Sequence, residues 1–258
     1  MEFQCVETNL RESFRVVAAH RAAGELREME GVSIASAGVT FQMFNTAFLS
    51  APVASDAQME RRIAQAAVHF AARRQRWAYW ICHGWLEGPT RKRLAQILRK
   101  QGLYHAVDLP GMFAESIEPP TRELPRMQMR RVCEGPVKDA FCAIGSVCFN
   151  VPLAWFCEVF DSDTIWGDFA AYVGYADGEP VSTAATVIGG GVVGVYNVAT
   201  MPAYRHAGYG EAVMRHALEQ ARLEYGLWPT ILQSTPQGFG LYERMGYRTV
   251  TSVAVFCS

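Results

Sequence analysis

The stretch from Val192 to Tyr225 constrains the fold more than any other part of this chain. It opens with an apolar run, Val192 to Ala199, of the kind found in buried strands. A short loop then leads to the sequence Arg-His-Ala-Gly-Tyr-Gly at residues 205–210. Apolar side chains recur at helical spacing beyond this loop, and these are Met214, Ala217, Leu218, Ala221 and Tyr225. The chain therefore runs from a strand through a basic, Gly-containing loop into an amphipathic helix.

The loop between this strand and this helix is suited to bind a diphosphate. The first turn of a helix has N–H groups without internal partners and a positive dipole end, so it attracts phosphate. Gly208 and Gly210 lack the Cβ atoms that would keep a diphosphate away from these amides, and Arg205 adds a cation. The sequence predicts that this segment binds a nucleotide-like cofactor through Arg205, His206, Ala207, Gly208, Tyr209, Gly210 and Glu211.

Two other phosphate-binding loops do not match the sequence. A Walker loop needs Lys followed by Ser or Thr after its second Gly, and Glu211 and Ala212 stand there instead. The spacing G-x-G-x-x-G occurs at residues 189–194, but it leads into a strand rather than a helix. We therefore interpret Gly189–Gly191 as a hairpin turn.

The pattern R-x-x-G-x-G between a strand and a helix resembles motif A of the GNAT superfamily, the CoA-dependent N-acyltransferases. The sequence LYERMGY at residues 241–247 resembles that family's LYxxxGF motif, and together the two cover about the last half of the chain. The resemblance implies an α/β (α+β) fold in which a mixed, mainly antiparallel sheet is flanked by helices. It also implies acetyl-CoA as co-substrate and no metal.

The resemblance further implies roles for individual residues. Val198, Ala199 and Thr200 lie where the family's splayed strand leaves backbone groups free for the pantetheine arm, and a backbone amide near Val198 polarises the thioester carbonyl. Tyr242 would protonate the CoA sulfur, since a phenol with a pKa of about 10 stays protonated at neutral pH. Thr235 lies where the family often has an Asn that contacts pantetheine, so that contact is altered here.

The two halves of the chain look alike. Residues 32–36 (VSIAS) are similar to residues 181–185 (VSTAA), and residues 44–47 (FNTA) to residues 196–199 (YNVA). A helical pattern and then a Trp, Trp77 or Trp228, follow in each half. We predict two tandem GNAT-like folds, residues 1–124 and 125–258, joined through a Pro-rich linker at Leu103–Pro125. The first copy has Ser50–Ser55 in place of the Arg and glycines, so we expect it to be degenerate and to bind no cofactor.

Charge and cysteine content narrow the choice of partners and compartment. The net charge is −1, which gives no support for a nucleic-acid or membrane-surface partner. The charge-free run Pro180–Tyr204 could span a bilayer, but its Ser, Thr and Gly residues favour two buried strands. The seven cysteines are odd in number and lack zinc-ligand spacing, and the first residues show no signal-peptide pattern. We expect free thiols and a cytoplasmic location, with Cys142 and Cys148 packed in the core.

The sequence thus predicts an enzyme that transfers an acetyl group from acetyl-CoA to an amine of a small molecule or peptide, by direct attack in a ternary complex. The alternative is a non-catalytic acyl-CoA sensor or a structural pseudoenzyme, and a longer acyl donor or a thiol or hydroxyl acceptor stays open. The oligomeric state is open too. The general base is not assigned, and the carboxylates considered for it are Glu158, Asp161, Asp163, Asp168 and Glu179.

Overall fold

The computed structural model describes residues 1–226 and 229–258, so Trp228 of the predicted repeat lies outside the described residues. The helices are α1 Glu2–Ala19, α2 Asp56–Ala72, α3 Gly88–Lys100, α4 Gly135–Phe149, α5 Leu153–Val159, α6 Tyr209–Tyr225 and α7 Phe239–Arg244. The strands are β1 Glu25–Met29, β2 Val32–Ser36, β3 Asn45–Leu49, β4 Ala78–Cys82, β5 Tyr104–Ala114, β6 Gln128–Arg131, β7 Ala170–Ala176, β8 Glu179–Gly189, β9 Val192–Thr200, β10 Thr230–Gln233 and β11 Arg248–Cys257.

The described strands form one sheet in the order β1-β2-β3-β4-β11-β5-β10-β9-β8-β7-β6. Neighbouring strands are antiparallel except for β3 with β4 and β9 with β10, which are parallel and connected through α2 and α6. The fold is therefore the predicted mixed, mainly antiparallel sheet flanked by helices. Its edge strands β1 and β6 are short and carry exposed charges such as Arg27 and Arg130, which discourage edge-to-edge pairing.

Two runs of the chain share one order of elements, and they exchange their last strands. The runs are β1-β2-β3-α2-β4-α3-β5 and β7-β8-β9-α6-β10-α7-β11. Strand β5 of the first run pairs with β10 of the second, and β11 of the second pairs with β4 of the first. Strands β5 and β11 pair with each other at the centre of the sheet. Each run is thus completed by the other.

The prediction that Leu103–Pro125 is a linker is wrong for its first half. Residues 104–114 form the central strand β5, and the irregular segment covers only the residues between it and β6. Pro110 has no N–H to donate, but its carbonyl accepts a hydrogen bond from the Ser234 amide at 2.9 Å. The strand is held by partners more than a hundred residues further along the chain, and the local Pro and Gly content therefore misled the prediction.

The sequence pattern predicts a first helix from Leu10 to Ala23, capped by Asn9 or Thr8, and this start is wrong: α1 begins at Glu2, so Thr8 and Asn9 lie inside it. The buried face of α1 includes the polar residues Glu7, Asn9 and Ser13, which interrupt the apolar pattern. The Asn9 amide nitrogen donates to three carbonyls of the β8–β9 hairpin, at 3.0–3.1 Å, and its oxygen accepts from the Tyr196 hydroxyl at 2.6 Å. Asn9 thus fastens the N-terminal helix to the C-terminal half.

Most local predictions of turns and caps are confirmed. The sequence predicts Ser55 or Asp56 as the cap of the second helix and Gly226 as the end of the helix after the Gly-containing loop. In the structure Ser55 caps α2 by accepting from the Gln58 amide, and Gly226 ends α6. Gly190 and Gly191 have positive φ in the hairpin between β8 and β9, so Pro180–Tyr204 forms strands as expected. No helix in the described residues is long and apolar enough to cross a membrane. Tyr225, expected on the buried face of α6, is 42% exposed.

Candidate active site

A groove of about 540 Å³ lies where β9, the loop at residues 205–208, the start of α6 and the segment 235–244 meet. This volume is within the range of about 300–1,000 Å³ common for ligand sites. Of the predicted site residues, all but the exposed Ala207 line the groove: Val198, Ala199, Thr200, Arg205, His206, Gly208, Tyr209, Gly210, Glu211, Thr235 and Tyr242. The fold therefore brings the two predicted motifs to one place.

Strand β9 separates from β10 on its way to the groove. The two strands pair only over residues 193–195 and 230–232, so residues 196–200 have no partner in β10. On the other side, the β8–β9 register shifts between Thr183 and Ala185, and Asn197 adopts a φ of 49° at this bulge. The Thr183 hydroxyl donates to the Asn197 carbonyl at 2.8 Å and holds the bulge. The end of β9 thus presents a backbone edge to the groove.

The loop before α6 has its backbone in the left-handed region at two points. His206 has a φ of 65° and Gly208, the residue that precedes α6, has a φ of 96°. No side chain caps the start of this helix in the described part of the chain. A Cβ on Gly210 would lie 2.8 Å from Thr200 Oγ1, and Arg205 Nε donates to the Thr200 carbonyl at 3.1 Å. The loop is packed closely against the end of β9, and the first-turn amides are left for a ligand.

Backbone amides in the corresponding loop of the first run are bonded to other groups of the same run. The Val53 amide donates to the Trp85 carbonyl at 2.8 Å, and the Ala54 amide donates to Gln58 Oε1 at 2.8 Å. The Gln58 amide is in turn bonded to Ser55 Oγ. Because these donors already have partners, the start of α2 has little to offer a phosphate.

The phenol of Tyr242 is buried in the wall of the groove, with 7% of the residue exposed. Burial raises the pKa of Tyr242 to about 12, so its hydroxyl stays neutral and can donate a proton. Its ring packs edge-on against the ring of Tyr247, with 6.0 Å between the ring centroids. A Cβ on Gly238 would lie 2.6 Å from Cε2 of this ring, so the glycine leaves the space that the ring occupies.

The charge of the groove is predominantly positive. Its lining includes the guanidinium groups of Arg122, Arg205 and Arg244 and the carboxylate of Glu211. Glu211 is itself paired with Arg215, with 2.8 Å between Oε1 and Nη2. Such an arrangement favours a polyanionic ligand. Among the described residues, no group of three or more His, Cys, Asp or Glu side chains could hold a metal ion.

Several lining residues were missed by the sequence analysis. Arg122 reaches the loop from the segment between β5 and β6, and both of its Nη atoms donate to the His206 carbonyl at 3.2 Å. Cys148, expected in the core, donates from Sγ to the Thr200 carbonyl at 3.2 Å and lines the groove beside Phe149. These contacts join residues 84 and 52 positions apart, so no local pattern could have signalled them. Cys142 is buried as expected, and burial raises the pKa of its thiol to about 12.

The five carboxylates considered as general base do not line the groove. Glu158 accepts from the Thr40 amide at 2.9 Å, and Glu179 is exposed at the start of β8. The three aspartates face basic side chains elsewhere: Asp161 with Arg21, Asp163 with Lys138 and Asp168 with His20. Four of the five thus have partners outside the groove, and Glu179 is exposed to solvent.

The part of the chain that forms this groove is similar to a known protein family. The sequence profile of the family "Acetyltransferase (GNAT) domain" matches residues 167–249, which include β9, the loop, α6 and α7. Residues 167–249 therefore resemble a GNAT domain. A protein of Bacillus subtilis (strain 168) that bears an acetyltransferase name is 32% identical over 94 residues. This match covers 36% of the present chain and 63% of that relative.

The similarity to solved structures extends beyond the GNAT domain to nearly the whole chain. A GCN5-related N-acetyltransferase from Kribbella flavida superposes with a TM-score of 0.72 at 19% identity, covering 96% of this chain and 94% of the other. A tandem GNAT protein from the clavulanic acid biosynthesis pathway gives a TM-score of 0.55 at 11% identity, covering 98% and 92%. These likenesses establish the fold.

Proposed function

We propose that this protein is an acetyl-CoA-dependent N-acetyltransferase that acts on an amine of a small molecule or peptide by direct attack in a ternary complex. The observation that carries the proposal is the single groove joining the uncapped start of α6 to the buried phenol of Tyr242. One end of the groove offers anion-binding donors, and the other offers a proton donor. A co-substrate with a diphosphate and a reactive thioester requires both.

The loop at residues 205–210 would hold the diphosphate of CoA. Its first-turn amides have no side-chain cap, and the guanidinium of Arg205 is fixed beside them by its bond to the Thr200 carbonyl. The pantetheine arm would run along Val198–Thr200, where β9 has left β10 and the edge of β9 that faces away from β8 has no strand partner for its backbone groups. Acetyl-CoA then supplies an activated thioester at the inner end of the groove.

Two groups of the chain would lower the barrier to transfer. A backbone amide near Val198 would donate to the carbonyl oxygen on which negative charge develops. Tyr242 would give its proton to the departing thiolate, because burial keeps the phenol neutral well above physiological pH. We assign no general base, since the Glu211 carboxylate in the lining is engaged by Arg215.

The first run would act as a scaffold. We infer that residues 1–124 are a degenerate copy of the same fold, because the loop at residues 50–55 lacks the Arg and glycines and its Val53 and Ala54 amides donate to Trp85 and Gln58 of the same run. Its strand β5 and the segment after it nevertheless support the groove of the second copy, since β5 pairs with β10 and Arg122 contacts His206.

The first test is CoA binding by calorimetry to the wild-type protein, Arg205→Ala and Gly210→Glu. We expect micromolar binding by the wild type and loss of about tenfold or more in each variant, since one removes a cation and the other adds a carboxylate at the loop. Gly167→Glu is the matched control, because it adds the same charge where a Cβ would meet nothing within 4 Å and lies outside the groove. Unchanged tight binding in both loop variants would refute the proposed site.

The second test is turnover, followed as release of free thiol from acetyl-CoA with a panel of amines. The panel includes aliphatic diamines, arylalkylamines and a peptide with a free N-terminus, with a longer acyl-CoA and hydroxyl or thiol acceptors in parallel. Turnover with an amine supports the proposal. Tight CoA binding without turnover on any acceptor would instead favour the non-catalytic acyl-CoA sensor.

A further inference from the structure

We infer that Arg122 forms a second anion subsite beside the diphosphate loop, and that this subsite recognises the 3′-phosphate of CoA. The inference rests on the proposed function, because it presumes that the groove binds CoA. It adds a residue and a specificity: the protein would distinguish CoA from its form without the 3′-phosphate.

The position of Arg122 is fixed from two sides. Both of its Nη atoms donate to the His206 carbonyl at 3.2 Å. The segment that carries it packs on the start of α6, where Pro125 Cδ and Arg122 Nη2 would lie 3.1 and 3.4 Å from a Cβ on Gly208. The guanidinium therefore stands next to the N-terminal end of α6 although the residue itself is exposed. Such positioning reduces the entropy lost when an anion binds.

Arg122 retains hydrogen-bonding capacity for a ligand. A guanidinium has five N–H donors, and the His206 carbonyl occupies one on each Nη at most. The remaining donors belong to a side chain that lines the groove. The planar fork of a guanidinium matches the oxygens of a phosphate and can bind two of them at once.

The neighbours of Arg122 favour a separate phosphate over the diphosphate itself. The diphosphate already has the loop amides and Arg205, which is anchored to the Thr200 carbonyl at the end of β9. Arg122 is anchored to a different carbonyl and comes from a different segment of the chain. CoA carries, besides its diphosphate, one phosphomonoester on the adjoining ribose, with a charge near −2 at neutral pH. The carboxylate in the lining, Glu211, is neutralised by Arg215 and does not oppose such an anion.

The experiment compares CoA with 3′-dephospho-CoA by calorimetry on the full chain, in the wild type and in Arg122→Ala. We expect the wild type to bind CoA about five- to tenfold more tightly than dephospho-CoA, as for one partly exposed charge-assisted contact. In Arg122→Ala this preference should vanish, while the affinity for dephospho-CoA changes by less than about twofold. Arg126→Ala is the matched control, because Arg126 is exposed on the same segment outside the groove and its loss should keep the preference.

The other outcomes distinguish failure of the Arg122 subsite from failure of the proposed function. Equal affinity of the wild type for both ligands overturns the subsite and leaves the proposed function intact. An equal loss for both ligands in Arg122→Ala would mean that this residue only clamps the loop, and it also overturns the subsite. Binding of neither ligand by the wild type would refute the proposed function itself. A melting curve of Arg122→Ala verifies that the variant is folded.

Discussion

Asn9 links the N-terminal helix to the β8–β9 hairpin, and we expect Asn9→Ala to lower the free energy of unfolding by about 3–5 kcal/mol. The residue is fully buried. Its amide nitrogen lies 3.1 Å from the Val187 carbonyl, 3.0 Å from that of Gly189 and 3.1 Å from that of Val192. Its oxygen accepts from the Tyr196 hydroxyl at 2.6 Å. The variant would remove all four contacts at once.

The magnitude follows from counting protons rather than contacts. The amide has two N–H protons for three carbonyls, so two donated bonds and one accepted bond are lost. At about 1 kcal/mol net each, they sum to about 3 kcal/mol. The Tyr196 hydroxyl would also be left buried without this partner, which adds about 1–2 kcal/mol. Tyr196→Phe removes only the accepted bond but leaves the buried Asn9 oxygen without this donor, so it should cost about 2–3 kcal/mol.

The assay is urea denaturation of the two single variants and the double variant, followed by circular dichroism. The double variant should be less destabilised than the sum of the singles, by about 3 kcal/mol. Both singles remove the same Asn9–Tyr196 bond, and each leaves one buried partner behind that the double variant removes. A loss below about 1 kcal/mol for Asn9→Ala, or strict additivity, would refute the account of this contact.

Three further outcomes follow from the groove. Tyr242→Phe should lower kcat about 10²–10³-fold without changing CoA affinity. Because the pKa of Tyr242 is about 12, its phenol loses the proton only as the pH rises through that value. The ratio of wild-type to variant kcat in the thiol-release assay should therefore stay constant between about pH 7 and 10. A ratio that falls to one in this range would contradict the acid role. Gly208→Ala should weaken CoA binding and lower Tm, because alanine at a φ of 96° costs about 1–2 kcal/mol and its Cβ would lie 3.1 Å from Pro125 Cδ. Gly102→Ala is the control: its φ is 77°, its Cβ would meet nothing within 4 Å and it lies outside the groove, so it should lower Tm and leave CoA binding unchanged. Gly238→Ala should displace the Tyr242 ring, because the added Cβ would lie only 2.6 Å from its Cε2 atom. This variant should reduce kcat more than CoA affinity, and an equal effect on both would count against the geometry.

The parts of the fold that the sequence predicted are those specified by neighbouring residues. The Asp177–Gly178 turn has positive φ at both residues, as the tight turn between β7 and β8 requires. The strand, the Gly-containing loop and α6 lie next to one another in the chain, and LYERMGY forms its helix with Gly246 directly behind it at a φ of 96°. Proximity in the sequence therefore sufficed to predict most of the groove.

The parts that could not be predicted depend on contacts between distant residues. Strand β5 contains Pro110 and Gly111, and it is ordered by β10 and β11 rather than by its own propensity. Arg122 stands in a polar segment, and its significance comes from a carbonyl 84 positions away. The roles of the lining residues and the division of the chain at residue 124 stay predictions.

The strand exchange ties folding of the first run to a strand that is synthesised much later. Strand β4 is buried along its whole length in the finished sheet, and the neighbour on one of its sides is β11, the last strand of the second run. Until β11 has left the ribosome, that side of β4 has no partner and presents a template on which other nascent chains could pair. The cellular yield of this protein should therefore depend on chaperones that cover an apolar strand edge until β11 is in place.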